Sequence, residues 1–79
     1  MILTHQPNIT PREKEVLLLV CKGKTANQVA HELGISSSTV ESHKKRLCVK
    51  FNVRNSVQLA VMAAELGYVS GRDLDIFYI

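Results

Sequence analysis

The sequence has only two cysteines among its 79 residues, too few for a disulfide framework. Cys21 and Cys48 both fall within apolar helical patterns, so we interpret them as small core residues of a protein from a reducing compartment. No apolar run approaches the length of about 20 residues that a helix needs to span a bilayer. Residues 1–3 are apolar but are followed by polar residues and a proline, which does not fit a signal peptide. These absences predict a cytoplasmic protein without a membrane-embedded part.

Strand patterns and catalytic patterns are missing as well. Only residues 75–79 come close to the alternation of a strand, so the sequence predicts an all-α protein. Cys21, His5, His31 and His43 lie on separate predicted elements and show neither metal-ligand spacing nor nucleophile–base spacing. We therefore expect neither an enzyme nor a protein that holds a metal or another cofactor.

The positive charge is concentrated in one quarter of the chain. Ten Lys and Arg against seven Asp and Glu give a net charge of +3. Residues 36–54 hold five of these cations and one acid, Glu41, so this window carries 5 − 1 = +4 and the rest of the chain 5 − 6 = −1. Such a distribution is typical of a face that binds a polyanion. A solvated lysine-rich helix face remains an alternative on charge alone.

Four helix starts and four helix stops are visible in the sequence. The predicted starts are the capping residues Thr10, Thr25, Ser36 and Asn55, and the predicted stops are Gly23, Gly34, Asn52 and Gly67. A chain of this length buries only about 60% of its unfolded surface, which leaves room for one core of three or four helices. The sequence thus predicts an N-terminal arm at 1–9, a four-helix domain at 10–69 and a tail at 70–79, where Ser70 could cap a short extra helix.

The fourth helix has two apolar stripes. Leu59, Met62, Ala63 and Leu66 form one stripe, and Val57, Val61 and Ala64 form the opposite one, with Tyr68 just beyond the helix end. A domain this small has one core, so the second stripe needs another partner. We favour self-association through it; a tail that folds back over it is the alternative. In the first helix, Leu18 is a candidate for exposed apolar surface.

The second and third helices form a helix-turn-helix candidate around "ELGIS". Val29, Ala30, Gly34, Ile35 and Val40 match the steric demands of that motif in order and offset. In such a motif the second helix enters the major groove of DNA with its N-terminal end leading. The hydroxyls of residues 36–39 and the free backbone N–H groups of that first turn suit phosphate oxygens, and the cations at 44–46 can reach bases or the far strand.

These residues also carry a family resemblance. The motifs are Thr10-Pro11-Arg12-Glu13-x-Glu15-Val16-Leu17, Gly23-x-Thr25, Ala30-x-x-Leu33, Ile35-Ser36-x-x-Thr39-Val40-x-x-His43 and Val53-Arg54-Asn55. From residue 9 to about 69 the chain resembles the C-terminal DNA-binding domain of LuxR/FixJ-type (GerE-like) bacterial transcription regulators. The resemblance implies a four-helix domain that binds double-stranded DNA as a homodimer through its fourth helix, with a recognition helix at about 37–51.

The resemblance also implies roles for individual residues. It places Glu41, Ser42 and Lys45 against base edges, and it places Thr25, Ser38, Thr39, Lys44 and Lys50 near phosphates. The dimer contact that it implies for the fourth helix agrees with the second apolar stripe, Val57, Val61 and Ala64 together with Tyr68, and it favours packing between helices over base reading for His43.

Three residues depart from the family pattern. Glu41 stands where a basic residue is frequent, so it either accepts a hydrogen bond from cytosine N4 or pairs with Lys45, one helical turn later. Val49 stands where the family usually has a charge, and Asn52 where glycine is usual.

Several readings remain open. The resemblance allows either a domain excised from a longer parent with an N-terminal regulatory domain or a stand-alone regulator, and it makes RNA polymerase a candidate partner. One alternative is a promoter-reading domain like those of sigma factors, which would not need the second stripe, so its oligomeric state would differ. Another is a heterodimerising antagonist of larger regulators that does not bind DNA, which salt-dependent binding to duplex DNA would exclude.

Overall fold

The computed structural model describes residues 7–69 of the chain. In this range the helices are α1 (Pro11–Cys21), α2 (Ala26–Leu33), α3 (Ser37–Phe51) and α4 (Ser56–Glu65), and residues 7–69 contain no strand. The predicted all-α, four-helix fold is therefore confirmed. The tail predicted at 70–79 and most of the predicted N-terminal arm lie outside the described residues.

Each helix begins at a residue whose side-chain oxygen accepts a hydrogen bond from the backbone N–H three positions later. These N-caps are Thr10, Thr25, Ser36 and Asn55, as predicted. In α1 and α2 the side chains of Glu13 and Gln28 accept a bond from the cap's own N–H, which completes two capping boxes. In α4 the side chain of Gln58 instead accepts from the N–H of Arg54, one residue before the cap, at 2.9 Å.

Two of the helix ends require a left-handed backbone. Gly34 ends α2 with φ 67°, and Asn52 ends α3 with φ 58°. A Cβ atom added to Gly34 would meet no other atom within 4 Å, so the backbone conformation, and not a lack of space, favours glycine there. Asparagine tolerates the same conformation better than most residues, which explains its use at the end of α3.

The core is formed by one buried stripe from each helix. Its fully buried members include Val16, Leu17, Cys21, Val29, Val40, Leu47 and Leu59. Helix α3 lies at the centre of this arrangement, because it packs against α1, α2 and α4. The orientation of α3 is thus set by three neighbours at once.

Four apolar positions differ from the prediction. The sequence makes Leu18 a candidate for exposed surface, but it is half-buried and packs against the core. The other helices therefore cover a wider part of the α1 surface than the apolar stripe of α1 indicates. In α4 the buried residues are Leu59, Ala60 and Ala63, whereas Met62 and Leu66 are only partly buried. The burial of Ala60 could not be predicted from helical periodicity, because a side chain as small as that of alanine is easily covered by a neighbouring helix.

An ion pair between a buried carboxylate and a partly exposed lysine joins the first turn of α1 to the last turn of α3. The Glu13 side chain is 4% exposed, and its Oε1 atom lies 2.7 Å from Lys50 Nζ and 2.9 Å from the Thr10 nitrogen. Lys50 also donates to the carbonyl of Asn8 at 3.1 Å. Burial opposes ionisation of Glu13, but the hydrogen bonds from Lys50 and Thr10 outweigh it, so the pKa of this carboxyl lies below its usual value.

Tyr68 connects the segment after α4 to the end of α3 and to the region around the start of α1. Its ring packs edge-on against Phe51, with 5.1 Å between centroids, and its hydroxyl donates to the carbonyl of Pro7. The ammonium of Lys14 lies 5.8 Å from the ring centroid. Tyr68 is thus half-buried within one copy of the domain, and any contact with a second copy would use the exposed remainder of its ring.

We expect Glu13→Gln to lower the free energy of unfolding by about 1–3 kcal/mol at pH 7, because it removes a charged partner from a largely buried pair. Glutamine can still accept from the Thr10 N–H, so the capping box survives and the change isolates the ion pair. Since the folded pKa is depressed, the stabilisation is present above the unfolded pKa of about 4.3 and is lost as the pH falls through the folded pKa. Urea unfolding at pH 7 and pH 3 measures both effects.

Glu15→Gln is the matched control. Glu15 is on the same helix and pairs with Arg12 at 3.1 Å, but both side chains are about half exposed, so its loss should change stability by less than about 1 kcal/mol. If both substitutions had equal effects at pH 7, the Glu13–Lys50 pair would contribute no more to stability than the exposed Arg12–Glu15 pair does.

Candidate nucleic-acid interface

Helices α2 and α3 form the helix-turn-helix that the sequence predicts. Val29, Ala30 and Val40 are buried, and Ile35 is half-buried between the two helices. The backbone N–H of Ile35 donates to the carbonyl of Ala30 at 3.1 Å, which closes the tight turn made by the left-handed Gly34. The turn therefore fixes where α3 begins relative to α2.

The N-terminal end of α3 presents a cluster of hydroxyl groups. Ser36 Oγ accepts from the Thr39 nitrogen at 3.1 Å, and the same oxygen lies 2.8 Å from Thr39 Oγ1 and 3.1 Å from Ser38 Oγ. All of these side chains are exposed. Ser36 thus caps the helix, while the hydroxyls of Ser38 and Thr39 stand beside the positive end of the helix dipole, where an anion is favoured.

The face of α3 that points away from the core is formed by exposed residues only. We call it the outer face of α3; it consists of Ser38, Glu41, Ser42, Lys45 and Val49. At about 100° per residue these side chains project opposite to the buried stripe of Val40, Leu47 and Phe51. The three residues that the resemblance placed at base edges, Glu41, Ser42 and Lys45, therefore share one accessible surface.

Glu41 is paired within its own helix, but with a different lysine from the one predicted. Its Oε1 atom lies 3.7 Å from Lys44 Nζ, at a spacing of three residues, and its side chain is 60% exposed. Lys45 makes no ion pair within residues 7–69, so its ammonium on the outer face is free for another ligand. The long, exposed Glu41–Lys44 pair is weak, so Glu41 can leave Lys44 at little cost.

The residues predicted near phosphates lie in four places. Ser38 and Thr39 stand at the start of α3, and Lys44 is next to Glu41 in its middle. Thr25 is exposed at the start of α2, where its hydroxyl accepts from the Gln28 nitrogen at 3.2 Å. Lys50 lies apart from the others, because its ammonium is turned toward Glu13 and the segment before α1.

His43 lies on the flank of α3 between its buried and outer faces. It is half-buried, and its Nδ1 atom is buried without a hydrogen-bond partner in the described part of the chain. The ring therefore contributes packing on the flank of the helix, and it is not part of the outer face.

A groove beside α3 adds a cation to which the sequence assigned no role. It is lined by Glu41, Lys44, Lys45, Cys48, Val49, Arg54, Asn55 and Ser56, so the segment between α3 and α4 contributes to the same surface. Arg54 belongs to the Val53-Arg54-Asn55 motif and to the basic window at 36–54, and these two features of the sequence could have pointed to it.

Burial raises the pKa of the Cys48 thiol against the opposing effect of Lys44, so this thiol stays protonated near pH 7.

Residues 7–69 contain neither a metal-binding cluster nor a membrane-spanning helix. No group of three or more His, Cys, Asp or Glu side chains is placed to hold a metal ion there. No helix within the same range combines the length and the apolar character needed to cross a membrane.

Comparison with known proteins places this geometry among bacterial regulators. The sequence model of a family described as "Bacterial regulatory proteins, luxR family" matches residues 7–63. The regulatory protein SdiA of Escherichia coli (strain K12) is 38% identical over 69 residues, which cover 87% of this chain and 29% of SdiA. The transcriptional regulatory protein DesR of Bacillus subtilis (strain 168) is 38% identical over 60 residues, covering 76% of this chain and 30% of DesR.

Solved structures give the same result. The chain superposes on Vibrio cholerae VqmA, in a crystal structure described as a VqmA–ligand–DNA complex, with a TM-score of 0.75 and 35% identity, covering 86% of this chain and 30% of that one. A phage VqmA in complex with DPO gives a TM-score of 0.75 and 36% identity over 92% of this chain and 34% of that one. The chain thus spans about a third of the length of the proteins it matches.

We expect Ser36→Ala to lower the free energy of unfolding by about 0.5–2 kcal/mol, because it removes the side-chain acceptor at the start of α3. Ser36→Asp should retain the cap, since aspartate is an equally good N-cap residue. Ser37→Ala is the control, because Ser37 is exposed in the first turn but is not the cap. Denaturant unfolding of the three variants measures this; equal stability of Ser36→Ala and Ser37→Ala would contradict it.

Proposed function

We propose that this chain, which belongs to the luxR family of bacterial regulatory proteins as a helix-turn-helix DNA-binding domain, reads one specific duplex sequence and thereby regulates transcription. In this proposal α3 lies in the major groove with its N-terminal end leading. The observation that carries it is the outer face of α3, a row of exposed polar, charged and apolar side chains. This row begins at the capped N-terminal end of the helix, which is rich in hydroxyl groups.

In this proposal three side chains of the outer face of α3 contact base edges and so determine which DNA sequence is bound. Lys45 is the unpaired cation and suits the O6 and N7 acceptors of guanine. Ser42, on the same face, can donate to or accept from a base edge. Glu41 can leave Lys44 to accept from cytosine N4, and Lys44 would then be free for a phosphate.

The remaining contacts would hold the backbone of the duplex. Ser38 and Thr39 offer hydroxyls and nearby backbone N–H groups to one phosphate strand, and Thr25 offers its hydroxyl from the start of α2. Lys50 is compatible with a phosphate contact even though it is paired. Its ammonium has three N–H donors, of which Glu13 and the Asn8 carbonyl take two, so one donor remains.

We further propose that two copies bind together through α4. Val57 and Val61 are 48% and 41% exposed and recur with the half-buried Ala64 at helical spacing, on the side away from the buried Leu59 and Ala63. This stripe is small, so the dimer would be weak in solution and would form mainly on DNA. Two recognition helices related by a two-fold axis would read half-sites about one helical turn, roughly 34 Å, apart.

The larger context of the domain is also a proposal. Because the matched relatives are about three times as long, we propose an N-terminal regulatory domain in a parent protein and RNA polymerase as a candidate contact. A sigma-factor-like domain and a heterodimerising antagonist remain the alternatives. Neither of them requires the exposed α4 stripe of one copy to contact the same stripe of a second copy.

Selection of duplexes from a random pool with the purified chain tests the proposed function. We expect enrichment of one near-palindromic sequence, and an affinity whose logarithm falls linearly with the logarithm of salt concentration. Enrichment of an asymmetric site bound by one copy would favour the sigma-like alternative. Failure to bind any duplex at low salt would favour the antagonist.

We expect Lys45→Ala to weaken binding to the selected site by roughly 1–3 kcal/mol and to relax the preference at one base position. A repeat of the selection with the variant measures the preference. Lys22→Ala removes the same charge from an exposed position at the end of α1, so it should leave the preference unchanged. If Lys45→Ala weakened all sequences alike, Lys45 would contact a phosphate and not a base.

We expect Val61→Glu to leave the domain folded, because Val61 lies outside the core, and to abolish two-copy occupancy of the selected site while half-site binding survives. Gln58→Glu adds the same charge on the flank of α4 and should preserve two-copy occupancy. Binding stoichiometry, with a far-UV spectrum as the check on folding, measures both. Unchanged two-copy occupancy of Val61→Glu would mean that the dimer does not use this stripe.

A further inference from the structure

Val49 is the most exposed large apolar side chain among residues 7–69, at 79%. It is on α3, where it follows Lys45 by four residues and Ser42 by seven. At about 100° per residue these three side chains project within about 60° of one another. An apolar residue therefore lies at the C-terminal end of the outer face, and nothing in the fold of one domain requires it there.

The surroundings of Val49 are cationic. It lines both the groove that contains Glu41, Lys44 and Arg54 and a second, smaller hollow lined by Lys45, Arg46, Val49 and Lys50. The centres of protein–protein contacts are depleted in lysine, so this patch does not resemble a docking site for another protein. An apolar contact ringed by cations suits a ligand that has an apolar group recessed between two rows of negative charge.

The major groove of DNA offers such a group. The C5-methyl of thymine is the apolar feature of that groove, and phosphates line both of its edges. Val49 lies about 6 Å beyond Lys45 along the helix axis, at 1.5 Å per residue. This is about two base-pair steps of 3.4 Å, so Lys45 and Val49 can address different base pairs of one half-site.

We propose that Val49 is a specificity-determining residue that contacts the C5-methyl group of a thymine in the DNA site. The inference rests on the proposed function, because it requires α3 to lie in the major groove. In this proposal Val49 contributes a preference for thymine, whereas a charged residue at this position would contact a phosphate.

Deoxyuridine, which differs from thymidine only by that methyl group, provides the test. Each thymine of the duplex selected by the wild-type chain is replaced in turn, and the dissociation constant is measured for the wild type, Val49→Ala and Arg46→Ala. At one thymine per half-site we expect the wild type to lose about fourfold in affinity, the factor for burying one methyl group. Val49→Ala should not distinguish the two bases there. Arg46→Ala should bind all duplexes more weakly and remain sensitive to the methyl group.

Three results would overturn the inference while leaving the proposed function intact. These are a selected site without a shared thymine, uracil substitutions that never change wild-type affinity, and an undiminished methyl preference in Val49→Ala. A chain that selects no duplex would overturn the proposed function and this inference together. Since Val49 is mostly exposed, Val49→Ala should fold as the wild type does, and its urea unfolding curve verifies this.

Discussion

The carboxylate of Glu13 connects two regions of the chain that must keep a fixed relation if α3 is to present its outer face. It closes the first turn of α1 through the Thr10 nitrogen, and it receives the ammonium of Lys50 from the last turn of α3. Apolar burial is not directional, so the packing of α3 against its three neighbours is complemented by this hydrogen-bonded ion pair, which holds the last turn of α3 against the start of α1.

With α3 held in this way, two surfaces are left that the fold itself does not use. One is the outer face of α3, and the other is the exposed α4 stripe of Val57, Val61 and Ala64. A domain that buries so small a fraction of its surface gains stability from every apolar side chain it can cover. Three valines remain between 41% and 79% exposed, and the proposed contacts with DNA and with a second copy depend on them.

Local chemistry could be predicted from the sequence, and long-range pairing could not. The caps at Thr10, Thr25, Ser36 and Asn55 were readable because each involves residues within three positions of one another. The Glu13–Lys50 pair joins residues 37 positions apart, and no pattern in one sequence marks it. The same limit applies to Tyr68, whose contact with Pro7 is invisible locally. For Glu41 a helical pair was predictable, but Lys44 and Lys45 are both within reach of it, and only the side-chain geometry distinguishes them.

The pairing of the cations bears on how such a domain would achieve affinity. DNA binding strengthens with the number of phosphates that a protein neutralises. Of the five cations in residues 36–54, Lys44 is paired with Glu41 and Lys50 with Glu13, which leaves Lys45, Arg46 and Arg54 without an ion pair inside residues 7–69. One copy thus has little free positive charge. Two copies on one site would double it, and in the proposed complex discrimination would then depend on the outer face of α3, where Glu41 and Val49 stand in place of cations.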